Sequence, residues 1–149
     1  VKVFSQNGQL LSEFMAYDDS FRGGTQVALG DVNHDGFDEI ITAPGFGGGP
    51  HVKVFSQNGQ LLSEFMAYDN SFRGGASVAC GDVNDDGWQE IITGPGPGLS
   101  SRVKTFNMQG ELLKEFLAYG ADEKSGIMVI ANDLNRDGVD EILVNLRDF

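Results

Sequence analysis

A chain of 149 residues with a 40% hydrophobic fraction holds enough apolar material for one compact domain with a core, which excludes wholesale disorder. Its formal charge of −12 excludes nucleic-acid phosphates and anionic membrane surfaces as partners, because both require a basic face. No run approaches the ~20 apolar residues of a membrane span, and one cysteine, Cys80, cannot close an internal disulfide.

The chain opens on the strand-like run Val1-Lys2-Val3-Phe4 with no signal peptide visible, as expected of a trimmed piece or of a segment of something longer. The string VKVFSQNGQLLSEFMAYD that starts at Val1 starts again, unchanged, at Val52, an interval of 51 residues. An acidic motif recurs at the same interval, beginning at Asp31, Asp82 and Asp133. Such a period marks a repeat architecture, in which each unit needs neighbours to bury its faces. The repeats run 1–51, 52–102 and 103–149 within a single domain, 1–149, and no linker separates them. The first two are nearly identical. The third has Glu123 where Phe21 and Phe72 stand, and Asn145-Leu146 where Ala43-Pro44 stand. Cys80 takes the place of Leu29 one repeat earlier, which reads as a small core hydrophobe.

Within one unit, Val27-Ala28-Leu29 leads into the acidic loop and Glu39-Ile40-Ile41-Thr42 leaves it. Ala43-Pro44-Gly45 and further glycines make a turn. His51 to Phe55 alternates, Asn58-Gly59 forms a tight hairpin turn, and Leu61 to Tyr68 returns. No segment has capped helical periodicity. The fold class is all-β, with four antiparallel strands per unit in a meander the size of a propeller blade. The chain begins on a third strand and ends just after a second, so its repeats are strand-permuted relative to blades. In such a meander the first and third turns share one rim. The acidic loop and the Asn-Gly hairpin therefore lie together. The glycine-proline turn (44–50, 95–99) and the inter-unit turn (18–24, 69–75) lie on the opposite rim.

The acidic loops read Asp31-Val32-Asn33-His34-Asp35-Gly36-Phe37-Asp38-Glu39, Asp82-Val83-Asn84-Asp85-Asp86-Gly87-Trp88-Gln89-Glu90 and Asp133-Leu134-Asn135-Arg136-Asp137-Gly138-Val139-Asp140-Glu141. Positions 1, 3, 5 and 9 are always Asp, Asn, Asp and Glu, and position 6 is always Gly. A hard cation such as Ca²⁺ takes six to eight oxygens at about 2.3–2.6 Å. Short oxygen-bearing side chains at alternate positions can point inward from a curled backbone, and glycine at position 6 permits the sharp turn. The position-7 carbonyls of Phe37, Trp88 and Val139 complete the expected set. Three carboxylates per loop set a formal −3 against +2, so one Ca²⁺ per repeat, three per chain, is expected. An ion-free Asx turn would explain one such loop, but it does not explain three with the oxygens kept while positions 2, 4, 7 and 8 vary. The loops are not EF-hands, which need flanking helices and a Glu at position 12; Thr42, Thr93 and Val144 stand there. Zinc would call for His or Cys, and neither repeats in the loops. Magnesium prefers fewer protein ligands with retained water.

On these residues the unit resembles the FG-GAP repeat of integrin α-subunit propellers and of related repeats in bacterial secreted proteins. Phe21-Arg22-Gly23-Gly24 and Phe72-Arg73-Gly74-Gly75 are similar to the Phe-Gly element, and Ala43-Pro44 and Gly94-Pro95 occupy the Gly-Ala-Pro region. The resemblance implies that the Asp-Xaa-Asn-Xaa-Asp-Gly loop is a calcium site between the first and second strands of a blade. It also implies a closed propeller, usually of about seven blades, and a secreted or cell-surface location. Three units cannot close such a ring alone. The complementary half-blades at the two ends give the expectation of a homodimer with six blades and two-fold symmetry, against a fragment of a longer propeller.

No Ser-His-Asp or Cys-His constellation is assembled, the glycine-rich turns lack the helix and Lys-Ser/Thr pair of a phosphate loop, and His34 and His51 read as surface residues. The chain is therefore expected to be a non-enzymatic calcium-binding scaffold that recognises an extracellular protein or takes part in adhesion. A carbohydrate-binding propeller and an accessory domain of a larger secreted protein are the alternatives. Sugar stacking would use aromatic and Arg side chains of the rim away from the acidic loops: Tyr17, Phe21, Arg22, Phe46, Tyr68, Phe72 and Arg73. Inter-blade packing is the plainer reading of the Tyr and Phe among them.

Overall fold

The computed structural model describes residues 1–147, and twelve strands make up all its regular structure over that range. They are β1 (Lys2–Phe4), β2 (Leu10–Glu13), β3 (Thr25–Gly30), β4 (Glu39–Pro44), β5 (His51–Phe55), β6 (Leu61–Met66), β7 (Ala76–Gly81), β8 (Glu90–Pro95), β9 (Arg102–Phe106), β10 (Leu112–Leu117), β11 (Ile127–Asn132) and β12 (Glu141–Leu146). The strands form two four-stranded antiparallel blades, β3-β4-β5-β6 and β7-β8-β9-β10, flanked by the two-stranded sheets β1-β2 and β11-β12. All four sheets are antiparallel between chain neighbours, so every connection is local.

The two blades repeat each other's register. Ile40, Ile41 and Thr42 of β4 pair Phe55, Val54 and Lys53 of β5, and Ile91, Ile92 and Thr93 of β8 pair Phe106, Thr105 and Lys104 of β9. The second strands, β4 and β8, are buried along their whole length. They read as near-continuous apolar runs because both faces are covered by adjacent blades.

The core is distributed between blades. One apolar cluster joins the first blade to the second through Ile41, Val54, Tyr68, Val78, Ile91 and Phe106. A second joins the second blade to β11-β12 through Ile92, Val103, Ile127 and Val129. A third joins β1-β2 to the first blade through Ala16, Ile40 and Phe55. A unit lacking its neighbour would expose half of such a cluster, as expected of a repeat protein.

The Asn-Gly hairpin differs from a two-residue turn. Gly59 has φ 81° whereas Asn58 is not left-handed. Gly59 N–H bonds Ser56 O at 2.9 Å, Ser56 N–H bonds Gln60 O at 2.9 Å, and the strand register slips between Val54 and Phe55. This is a three-residue loop ending in a glycine bulge, a geometry that needs one left-handed residue rather than two. Gly8 and Gly110 repeat it at φ 77° and 81°.

On the opposite rim the glycines have a packing reason. Gly45 N–H bonds Gly24 O at 2.9 Å and Gly96 N–H bonds Gly75 O at 3.0 Å, which ties the glycine-proline turn to the inter-unit turn of the same blade. A further bond, Gly47 N–H to Arg73 O at 2.9 Å, crosses to the next blade. A Cβ on Gly45 or Gly96 would run into the carbonyl of Gly23 or Gly74, and the Phe21 and Phe72 rings lie against Gly23 and Gly74.

Candidate metal centre

Each acidic loop connects the first strand of a sheet to the second: β3 to β4, β7 to β8, and β11 to β12. Two left-handed residues curl it. Gly36, Gly87 and Gly138 have φ 89°, 85° and 96°, as expected of a glycine at position 6. Two residues earlier His34, Asp85 and Arg136 have φ 60°, 63° and 65°, and they are the positive-φ residues other than glycine among those described. The sequence signal for position 4 is weak, because these three side chains share only the lack of β-branching.

The curl aims backbone N–H groups at the first aspartate. In the first loop Asp35 N–H reaches Asp31 Oδ1 at 3.0 Å and Gly36 N–H reaches Asp31 Oδ2 at 2.9 Å. Gly87 and Gly138 donate in the same way to Asp82 and Asp133, at 2.9 and 3.0 Å. The position-5 aspartate accepts from the position-7 N–H, at 2.9 Å for Phe37, 2.8 Å for Trp88 and 3.0 Å for Val139. The position-9 glutamate is anchored by the position-2 N–H, with Val32, Val83 and Leu134 donating to Glu39, Glu90 and Glu141 at 3.2, 3.0 and 2.8 Å. Sequence reasoning missed this anchor, although the fixed seven-residue spacing carried the signal.

At the centre stands the asparagine. Asn33 Nδ2 donates to Asp35 Oδ2 at 3.0 Å and to Glu39 Oε1 at 2.9 Å. Asn135 makes the same pair with Asp137 and Glu141, at 2.9 and 2.8 Å, and Asn84 bonds Glu90 at 3.0 Å. In two of the three loops, therefore, one amide group bridges two carboxylates. Among the described residues no three His, Cys, Asp or Glu side chains are gathered as a metal-holding group; each carboxylate is turned to N–H donors instead. The donor chemistry is all oxygen, with no thiolate or repeated imidazole, and so fits a hard cation rather than zinc.

Glu39 and Glu90 are buried. Burial pushes both carboxyls above the ordinary glutamate range. Asp35 and Asp31 add to the rise at Glu39, Asp86 and Asp82 add to it at Glu90, and the Val32 and Val83 N–H groups oppose it. The loops thus confine negative charge in a place that disfavours it. His34 is exposed and its ring lies 4.7 Å from that of Trp88, so adjacent loops touch. Half-buried Cys80 has its thiol pushed up to about 12, by burial first and then by Asp38 and Glu39, which leaves it protonated and inert at neutral pH.

On the opposite rim the seven candidate side chains divide between blade-linking contacts, a crevice and open surface. Tyr68 is buried, its hydroxyl donating to Arg102 O at 2.9 Å and lying 3.1 Å from Thr93 Oγ1, so it ties the first blade to the second. Tyr17 makes the same link from β1-β2 to the first blade, through His51 O at 2.7 Å and Thr42 Oγ1 at 3.1 Å. Phe72 packs edge-on to Tyr68 with centroids 6.2 Å apart. Tyr17, Phe21 and Arg73 nevertheless line a crevice of about 320 Å³ with Pro44, His51 and Asn70. Arg22 and Phe46 are exposed outside it, and Arg22 Nη1 bonds the carbonyl of Asp19. His51 pairs with Glu64 at 2.9 Å.

Among the described residues no helix is long and apolar enough to cross a membrane. A search of curated proteins gives no match. The family model of the FG-GAP repeat matches residues 23–60, the stretch from the turn before β3 through the acidic loop, β4 and β5 to the hairpin. Repeats of this family are typically non-enzymatic, extracellular binding modules of propeller type. That match lies inside the 51-residue period on which the four-stranded antiparallel blades are built, so the chain is similar to the FG-GAP repeat over residues 23–60.

Proposed function

We propose that the chain is a calcium-binding propeller scaffold, a module for recognising extracellular protein rather than an enzyme. The observation that carries this reading is the threefold recurrence of one oxygen-donor loop. Each copy holds two aspartates, an asparagine and a glutamate around a left-handed turn. The bridging amide of Asn33 or Asn135 supplies only a partial positive charge to two carboxylates, a position that a divalent cation would serve better. Asp31, Asn33, Asp35 and Glu39, with the Phe37 carbonyl, would hold one ion, and the equivalent residues of the other loops would hold two more. Bound calcium would neutralise the charge of the rim and fix the loops that join first to second strands. Secretion or surface display follows from the millimolar calcium outside cells and from the usual location of the family.

Calorimetric titration of metal-free protein with calcium tests this. Three ions per chain are expected, with Asp35→Ala and Asp86→Ala each losing one. A protein that takes up no calcium at millimolar concentration would remove the basis of the proposal.

The crevice on the opposite rim favours a second reading, carbohydrate binding, because it combines the faces of Tyr17 and Phe21 with the polar groups of Asn70 and Arg73. A glycan array separates that reading from protein recognition. An accessory role beside other domains is compatible with either.

A further inference from the structure

We propose that Asp140 is a positioning residue for the second metal loop, so that the third repeat completes the site of the second; this rests on the calcium reading above. Asp140 stands at position 8 of its own loop, outside the alternating set of oxygen ligands. It is half-buried and acts on the loop before it. Its Oδ2 accepts from Asp82 N–H at 3.0 Å, and its own N–H donates to Asp82 O at 2.7 Å. Asp82 is the position-1 ligand of the second loop, so the amide N–H and the carbonyl of that ligand are both held from across the repeat boundary.

The side chain of Asp82 is fixed from the other direction. Asp85 N–H reaches its Oδ1 at 2.8 Å and Gly87 N–H reaches its Oδ2 at 2.9 Å. With its main chain clamped by the third repeat and its carboxylate aimed by its own loop, Asp82 has little freedom left to lose when an ion arrives. Preorganisation of this kind raises affinity by cutting the ordering cost of binding. A group that orients a metal ligand without touching the metal typically changes affinity by about 10–100-fold.

The first loop provides an internal comparison. Position 8 of the second loop is Gln89, and it occupies the same place in the fold. A Cβ on Gly30 would meet Gln89 Oε1 just as one on Gly81 would meet Asp140 Oδ2. Each glycine precedes the position-1 aspartate and leaves room for the side chain reaching back from the next repeat. Gln89 nevertheless makes no hydrogen bond to Asp31 among the described residues. The entry to the first loop closes on itself instead. Val32 N–H bonds Gly30 O at 3.0 Å beside its 3.2 Å bond to Glu39. The first and second loops touch through the side chains of His34 and Trp88, at positions 4 and 7. An amide on a longer side chain thus does not replace the carboxylate. The second site is held from two repeats and the first from one, although their ligand types are the same.

Trp88, the one tryptophan of the chain, stands at position 7 of the second loop, so light that it absorbs sensitises a lanthanide bound there. Titration with terbium, a hard oxygen-seeking ion, excited where tryptophan alone absorbs, reads the second site, and calcium calorimetry reads all three. Asp140→Ala is expected to weaken terbium binding at the second loop about tenfold or more, with the other two calcium sites unchanged. Asp140→Gln installs the side chain found at the first junction, keeps Gly81 covered and carries the same expectation. Asp140→Asn keeps an oxygen acceptor for Asp82 N–H and should recover most of the affinity. Circular dichroism and the two unaltered calcium sites verify that each variant folds. An equal loss in Asp140→Asn and Asp140→Ala would assign the effect to charge and overturn the positioning role. Terbium binding unshifted in Asp140→Ala, or a loss confined to the third site, would also overturn it and leave the calcium reading intact. No uptake of either ion by the unaltered chain would overturn both.

Discussion

The tyrosine that follows each fourth strand shows how one side chain can serve both stability and the reading of function. Tyr17 and Tyr68 are aromatic, near a rim and adjacent to Asp, which makes them plausible ligand contacts in sequence. In the fold each spends its hydroxyl on the second and third strands of the next blade. Burial pushes both phenols far above the ordinary tyrosine value, so neither ionises in the physiological range. Tyr119 makes the equivalent bond to Val144 O at 3.1 Å, but it is exposed and has lost the threonine partner. A buried hydroxyl whose removal leaves a carbonyl unsatisfied is worth about 1–2 kcal/mol, whereas an exposed one is replaced by water. Tyr68→Phe is therefore expected to cost about 1.5 kcal/mol in urea denaturation, and Tyr119→Phe about 0.5 or less. Equal losses at the two positions would show that these bonds do not hold blades together.

At the scale of the element, strands were legible and loop geometry was only partly so. Alternation in His51–Phe55 and the 51-residue period placed the strands, and the order of a meander followed from short connections. The phase was equally readable, because the first strand resembles β5 and the last resembles β4. What sequence did not carry was conformation set by hydrogen bonds without a residue preference. The left-handed position 4 accepts His, Asp or Arg, and the hairpin adds a bulge that Asn-Gly alone does not disclose. The glycines of the opposite rim read as generic turn formers, yet the fold uses two of them for a close backbone approach. That difference predicts unequal costs. Gly138→Ala meets open space and suffers only its φ of 96°, about 1 kcal/mol. Gly96→Ala would drive its Cβ into the Gly74 carbonyl and break the 3.0 Å bond to Gly75 O, about 2–3 kcal/mol or more. Urea midpoints of the two variants decide the order, and a smaller loss at Gly96 would contradict the packing described.

At the scale of the molecule, the acidic loops all lie on one rim of a chain whose net charge is −12, so metal and proton compete for the same sites. Glu39 and Glu90 have folded-state carboxyls held above the ordinary 4.5, by burial first and then by neighbouring aspartates. For a group whose folded value is raised, the favourable contribution is complete below the unfolded value and fades as pH climbs through the folded one. The metal-free protein should therefore lose stability from these residues as pH rises out of the acid range, and stay weakened at neutrality. Calcium binds the ionised form, so its stabilising effect must grow over the same interval. Mass action gives about 2.7 kcal/mol for each site at a free calcium 100 times Kd. The gap in melting temperature between calcium-loaded and desalted, metal-free protein is expected to be wide at pH 7 and to narrow as pH falls toward the ordinary glutamate value. Asp35→Ala should shrink the gap at pH 7, because it removes one oxygen ligand and, in the metal-free state, one charge that presses on Glu39. A gap independent of pH, or no gap at any pH, would mean that these carboxylates are turn-formers alone and that the charge of the rim serves some purpose other than holding an ion.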